Sequence, residues 1–123
     1  MLIMENQITK LDFIGVPSTD AERSRAFYID TLGLRPDEKA KTEFWVGDTC
    51  FAIWEPEKMG IPFTPQKNAH IALHVDDIEA ARKELEEKGV VFGGDQTIEN
   101  PVCYMAPFTD PDGNDLMLHC VKK

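Results

Sequence analysis

An internal repeat is the feature that most limits how this chain can fold. Placing Phe13 over His70 aligns FIGVPSTDAERSRAFY with HIALHVDDIEAARKEL, and Asp20 then falls on Asp77 without a gap. Each copy is typical of a strand, an aspartate that caps the first helical amides, and a helix. The capping aspartate is Asp20 in the first copy and Asp76 or Asp77 in the second. Two copies of one supersecondary unit therefore organise the chain.

Extended segments follow each helix. In the first copy they lie around Glu43 to Val46 and Cys50 to Glu55, and in the second around Val102 to Pro107 and Asp115 to Val121. Residues that tolerate tight turns join both pairs into hairpins. The repeated order predicts an α+β fold of two tandem βαβββ modules, in which a curved mixed sheet surrounds a cavity and carries helices on its outer face.

The chain length favours one domain containing both copies. At 123 residues the chain can bury enough surface for one hydrophobic core. Module one is expected at about 8–56 and module two at about 68–121. The segment 57–67 is rich in proline and glycine, so it is interpreted as the linker between them.

Charge and cysteine content exclude several classes of protein. Thirteen Lys and Arg against 22 Asp and Glu give a net charge of -9, which disfavours nucleic acid as a partner. The start MLIMENQITK does not resemble a secretory leader, and no apolar run is long enough to span a bilayer. Three cysteines without a CxxC spacing indicate free thiols and a cytoplasmic location.

Three segments resemble the vicinal-oxygen-chelate superfamily, which contains glyoxalases, bleomycin resistance proteins and dioxygenases. They are DAERSRAFYIDTLGL from Asp20, HIALHVDD from His70 and FTDPDGNDLML from Phe108. The resemblance covers nearly the whole chain and implies a cavity formed by paired modules. It also implies a homodimer.

Members of that superfamily typically hold a divalent metal with one side chain from the first and last strand of each module. The resemblance places these positions on Phe13, about Ala52, His70 and Met117. Only His70 can coordinate such an ion, because Phe and Ala offer no donor and a thioether is a poor ligand for a hard cation. No cofactor is therefore predicted, with a divalent metal as the alternative.

The three histidines are candidates for a relocated metal site. By strand alternation His70, His74 and His119 share one face, but His70 and His74 are separated by about 13 Å along a strand. A pair formed by His119 and one of them stays open, and Asp115 could add a carboxylate. The competing interpretation is that these histidines line the cavity and hydrogen-bond to a ligand, water or backbone.

The predicted cavity lining is apolar and aromatic with a few polar groups, which is typical of a small-molecule site. The predicted ligand-binding residues are Phe13, Cys50, Ala52, Trp54, His70, His74, Met105, Met117 and His119. Gly15 and Ala72 share the same face. Two alternatives stay open: Phe13 and Met117 pack together where a metal would sit, and Cys50 is an inert packing residue rather than a nucleophile.

Three functions fit these observations. The first is a metal-free, bleomycin-resistance-like protein that binds a small aromatic or hydrophobic molecule, with cationic ligands favoured by the acidic surface. The second is a divalent-metal-dependent lyase or isomerase of the glyoxalase I type. The third is a metal-free enzyme that uses His70 or His119 as its base.

Overall fold

The computed structural model describes residues 7–123, so the first six residues of the segment examined for a leader lie outside it. In the first half the elements are β1 (Phe13–Pro17), α1 (Ala21–Ala26), a π-helical segment (Phe27–Thr31), β2 (Arg35–Pro36), β3 (Glu43–Val46) and β4 (Thr49–Trp54). A 3-10 turn (Pro56–Met59) leads out of this half. The second half contains β5 (Ala72–His74), α2 (Ile78–Glu87), β6 (Ile98–Glu99), β7 (Cys103–Thr109) and β8 (Asp115–Val121).

Each half forms a four-stranded mixed sheet. The strand orders are β1-β4-β3-β2 and β5-β8-β7-β6, so the two copies have the same topology. In each sheet the first strand runs parallel to the last, and the remaining pairs are antiparallel. The α+β prediction and the βαβββ order of both copies are confirmed. Among the described residues no helix has the length and apolar character needed to cross a membrane.

The two aspartates that align in the repeat cap the two helices in the same way. The Asp20 carboxylate accepts a hydrogen bond from the Arg23 amide, and the Asp77 carboxylate accepts one from the Ala80 amide, both at 3.1 Å. Each aspartate has extended backbone dihedrals, as a helix N-cap requires. The predicted repeat is therefore present at the level of individual hydrogen bonds.

One face of each sheet packs into a core that both modules share. Along β1 and β4 the buried residues include Val16, Phe51 and Ile53, and along β8 they are Leu116 and Leu118. All five belong to one apolar cluster. Strand alternation places the intervening residues on the opposite face of each sheet. We call these two surfaces the open faces.

A buried polar network joins the modules. The Tyr28 hydroxyl donates to Asp110 Oδ2 at 2.6 Å, and Asn114 Nδ2 donates to the same oxygen and to the Pro17 carbonyl, both at 2.8 Å. Tyr28 and Asn114 are fully buried. The turn between β7 and β8 is thus fixed to the end of β1.

A second cross-module contact lies beside it. Arg23 forms an ion pair of 2.6 Å with Asp112, whose side chain is only 2% exposed. Thr19 also donates to this carboxylate, from its hydroxyl and from its amide. Burial alone would raise the pKa of Asp112, but the Thr19 hydrogen bonds and the Arg23 charge outweigh it, and the net pKa is lowered. The DPDGN run is therefore a contact point between modules as well as a turn.

The strand in the aligned segment HIALHVDD is shorter than its pattern predicts, since β5 contains only Ala72–His74. Asn68 and His70 have positive φ angles of 64° and 52°, which a regular strand does not contain. Asp115 stabilises this bend, because its carboxylate accepts hydrogen bonds from Lys67 Nζ at 3.1 Å and from the Asn68 amide at 3.3 Å.

Candidate functional site

The open face of the first sheet holds the predicted residues of module one. Phe13 pairs with Cys50 and Gly15 pairs with Ala52 in the parallel ladder, so these four lie on one surface. Trp54 follows on the same face at the end of β4. Phe13 is 60% exposed although it is apolar. The structure therefore places the module-one residues on one face, and their role in ligand binding stays a prediction.

Aromatic rings lie against the backbone of Gly15. A Cβ atom placed on Gly15 would be 3.7 Å from Trp54 Nε1 and 3.8 Å from a ring atom of Phe13. Because Gly15 has no side chain and Ala52 has only a methyl group, no large side chain projects from the sheet between the aromatic rings and β3. We call this surface, floored by Gly15 and Ala52, the shelf.

Glu43 borders the shelf on the side of β3 and was not among the predicted site residues. It pairs directly with Ala52, and its Oε1 accepts a hydrogen bond from Cys50 Sγ at 3.3 Å. Burial raises the pKa of the Cys50 thiol, and the hydrogen bond to Glu43 raises it further. A thiol held in its protonated form is a poor nucleophile, which favours the packing interpretation of Cys50.

Trp45 is a second open-face residue that the sequence interpretation missed. It pairs with Cys50, its indole Nε1 donates to Asp37 at 3.0 Å, and the Arg35 guanidinium lies 6.0 Å from its ring centroid. The missed signal was the alternation along β3, where Phe44 is fully buried, so that its neighbours Glu43 and Trp45 face the other way.

The open face of the second sheet holds the predicted residues of module two. His74, His119 and Met105 form one row across three strands, and Ala72 and Met117 form part of the next row. His74 and His119 are thus direct neighbours on adjacent strands, as binding of one ligand by both would require. His74 Nε2 lies 2.9 Å from an oxygen of the exposed Asp76.

His70 stands apart from that row because it precedes β5. It lines a pocket of about 400 Å³ together with Ala72 and, from module one, the core-side residues Ile14 and Phe51. Phe13, Ala52 and Met117 do not line this pocket. That His70 binds the same ligand as the other predicted residues therefore stays a prediction.

Comparisons with known proteins agree with this geometry. Residues 10–118 match the model of the Glyoxalase/Bleomycin resistance protein/Dioxygenase superfamily. The chain belongs to this superfamily. It is 31% identical over 127 aligned residues to the uncharacterized protein YaeR of Escherichia coli K12, a match that covers 91% of this chain and 96% of YaeR.

Solved structures also resemble the chain over nearly its full length. A protein from Bacillus anthracis described as glyoxalase family has a TM-score of 0.81 and 26% identity, and covers 97% of this chain and 100% of its own. TnmS3, an antibiotic binding protein from Streptomyces sp. CB03234, has a TM-score of 0.75 and 25% identity, with 96% and 100% covered.

The donor set at the superfamily's metal positions does not fit a hard divalent ion in this chain. Phe13 and Ala52 provide no donor atom, Met117 provides a thioether, and only His70 has a suitable nitrogen. Asp115 is already bonded to Lys67 and Asn68. Across residues 7–123 no group of three or more His, Cys, Asp or Glu side chains is arranged to hold a metal.

Proposed function

We propose that this protein binds a small aromatic or hydrophobic molecule on its open faces and acts without a divalent metal. The observation that carries the proposal is the shelf, where the exposed rings of Phe13 and Trp54 flank a surface made of Gly15 and Ala52. Aromatic walls beside a low apolar floor are suited to a flat ligand. Antibiotic binding by the structurally similar TnmS3 supports the same interpretation.

We infer further that two copies of the chain form the complete pocket. Each open face lies outside the shared core, and Phe13, Trp54, Ile98 and Val121 are left with substantial apolar exposure. Contact with a second copy would remove this apolar surface from water, which is favourable. A homodimer also agrees with what the resemblance to the superfamily implies. The three cysteines are free thiols, which supports a cytoplasmic location.

Intrinsic fluorescence gives a direct test of binding. The chain has two tryptophans, so Trp45→Phe leaves Trp54 as the only indole reporter. We expect quenching of Trp54 by at least one compound in a panel of flat aromatic molecules and cationic glycopeptides. Trp54→Ala, which removes that reporter and is therefore measured by titration calorimetry, should weaken the binding by about tenfold, as loss of one aromatic contact implies. Absence of binding across the panel would refute the proposed function.

The metal-dependent alternative is separated by elemental analysis. Protein purified without chelator should contain no stoichiometric divalent metal, and His70→Ala should leave the metal content unchanged. A stoichiometric metal that is lost in His70→Ala would overturn the metal-free assignment. Sedimentation equilibrium over a wide concentration range tests the dimer, and a monomer at every concentration would refute it.

A further inference from the structure

We propose that the ligand of the shelf is a flat organic cation whose positive end lies at Glu43. This inference rests on the proposed binding function and adds the chemical class and the orientation of the ligand. Three features carry it: the floor of Gly15 and Ala52, the aromatic rings at one end, and a carboxylate at the other.

The dimensions of the shelf follow from the strand register. Gly15 on β1, Ala52 on β4 and Glu43 on β3 are consecutive partners across three neighbouring strands. Two strand spacings separate Gly15 from Glu43, which is about 10 Å. A fused two- or three-ring system spans that distance, with its face on Gly15 and Ala52 and one edge at Glu43.

The carboxylate of Glu43 lacks a positive partner within the described part of the chain. Glu43 is half-buried, and its Oε1 accepts a hydrogen bond from the neutral Cys50 thiol at 3.3 Å. No ion pair to Glu43 is found among residues 7–123, although Arg35 lies on the neighbouring strand β2. A half-buried carboxylate next to apolar surface is stabilised when a cation approaches it.

Asp37 shows the contrast with a carboxylate that is already satisfied. It accepts hydrogen bonds from the Ala40 and Lys39 amides and from Trp45 Nε1. These bonds, led by the Ala40 amide, lower the pKa of Asp37 to about 2. Glu43 is therefore the carboxylate available to a ligand on this face.

The aromatic end of the shelf favours the same class of ligand. A delocalised cation is attracted to the face of an indole ring as well as to a carboxylate. Trp54 stays 38% exposed, and its Nε1 and Cδ1 atoms are the ones nearest to Gly15, so the indole borders the shelf. One flat cation can thus contact Trp54 and Glu43 together, whereas a neutral ring of the same shape gains only the apolar contact.

Two dyes of similar shape test the assignment. Proflavine is a planar tricyclic cation at neutral pH, and acridone is a neutral planar tricycle. We expect the wild-type protein to bind proflavine at least tenfold more tightly than acridone. Glu43→Gln should weaken proflavine binding by about tenfold and leave acridone binding unchanged, which also shows that the variant is folded. Glu79→Gln removes the same charge from the exposed face of α2 and should change neither affinity.

Each alternative outcome has a distinct meaning. Equal losses of proflavine affinity in Glu43→Gln and Glu79→Gln would overturn the role of Glu43, because only net charge would matter. Equal affinity of the wild-type protein for both dyes would overturn the cation preference while leaving the binding function in place.

Failure of both dyes to bind would refute this inference; the proposed function would fall only if the wider panel also failed. Ala52→Leu should block both dyes, and unchanged binding in that variant would place the ligand elsewhere.

Discussion

Replacing Tyr28 with Phe removes one hydroxyl group from the core and leaves the aromatic ring in place. The ring contacts Phe27, Phe44 and Phe51, with centroid distances of 5.0 to 5.9 Å, and these contacts are preserved. The substitution therefore isolates the hydrogen bond of 2.6 Å to Asp110.

The expected loss follows from the burial of both partners. Tyr28 is fully buried and Asp110 is only 4% exposed, so water cannot replace the lost donor. A hydrogen bond to a charged group contributes about 1.5 to 3 kcal/mol. We expect Tyr28→Phe to lower the free energy of unfolding by about 2 kcal/mol, or the melting temperature by about 8 °C for a chain of this size.

Urea unfolding followed by circular dichroism measures this loss. Tyr104→Phe is the matched control, because the structure gives no hydrogen bond to the Tyr104 hydroxyl within the described chain, and we expect a change within about 0.5 kcal/mol. A loss for Tyr28→Phe no larger than that for Tyr104→Phe would refute the assigned role of the bond.

The pH dependence gives an independent check on the same residue. Burial, and then the charge of Asp110, raise the pKa of Tyr28 well above its ordinary value of about 10. A pKa that is higher in the folded state contributes stability below the ordinary value, and this stability is lost as the pH rises above it. The stability difference between wild type and Tyr28→Phe should therefore shrink above about pH 10. A constant difference would contradict the reasoning.

Three further predictions concern a cap, a charge and a thiol. Asp77→Ala should destabilise the protein by about 1 kcal/mol through loss of the α2 cap, whereas the neighbouring Asp76→Ala should have little effect in the same denaturation assay. Asp112→Asn should lower the free energy of unfolding by about 2 kcal/mol at neutral pH. Because the folded-state pKa of Asp112 is lowered, the stability difference between wild type and variant should disappear as the pH falls through that pKa, which unfolding of both proteins over a pH series would show. With a thiol reagent at mildly alkaline pH, the partly exposed Cys120 should react before Cys50, because the pKa of the Cys50 thiol is raised. Mass spectrometry of the labelled protein gives the order of reaction, and faster labelling of Cys50 would show that Glu43 does not protect it.

The sequence predicted those parts of the fold that depend on local signals. The helix starts were predicted at Asp20 and at Asp76 or Asp77, because an N-cap needs only a carboxylate and the next few amides; in the structure Asp77 is the second cap. The hairpin turn after Asp110 was predicted for a similar reason, since Gly113 supplies the positive φ of 87° that the turn contains.

Contacts between distant parts of the chain were not predictable in the same way. The bond between Tyr28 and Asp110 joins residues 82 positions apart, and no periodic pattern indicates such a pair. The bend at Asn68 and His70 was missed because positive φ is uncommon for any residue other than glycine, even though Asn and His adopt it more often than most.

The shared face of the candidate site residues was predicted in part, whereas their binding role stays a prediction. Strand alternation correctly placed Phe13, Cys50, Ala52 and Trp54 on one face. Glu43 was missed because the resemblance places metal ligands only on the first and last strand of each module, whereas Glu43 lies on β3. Strand β3 borders the same surface, and its alternation places Glu43 there.

The buried network around Asp110 makes the two repeats dependent on each other. Tyr28 belongs to the first copy, while its acceptor and Asn114 belong to the second, and Asn114 in turn bonds the end of β1. A chain with one copy alone would leave these polar groups unpaired and would expose its side of the common core. Such a single copy would have to associate with a second one in order to fold, whereas the full chain makes the same contacts within itself.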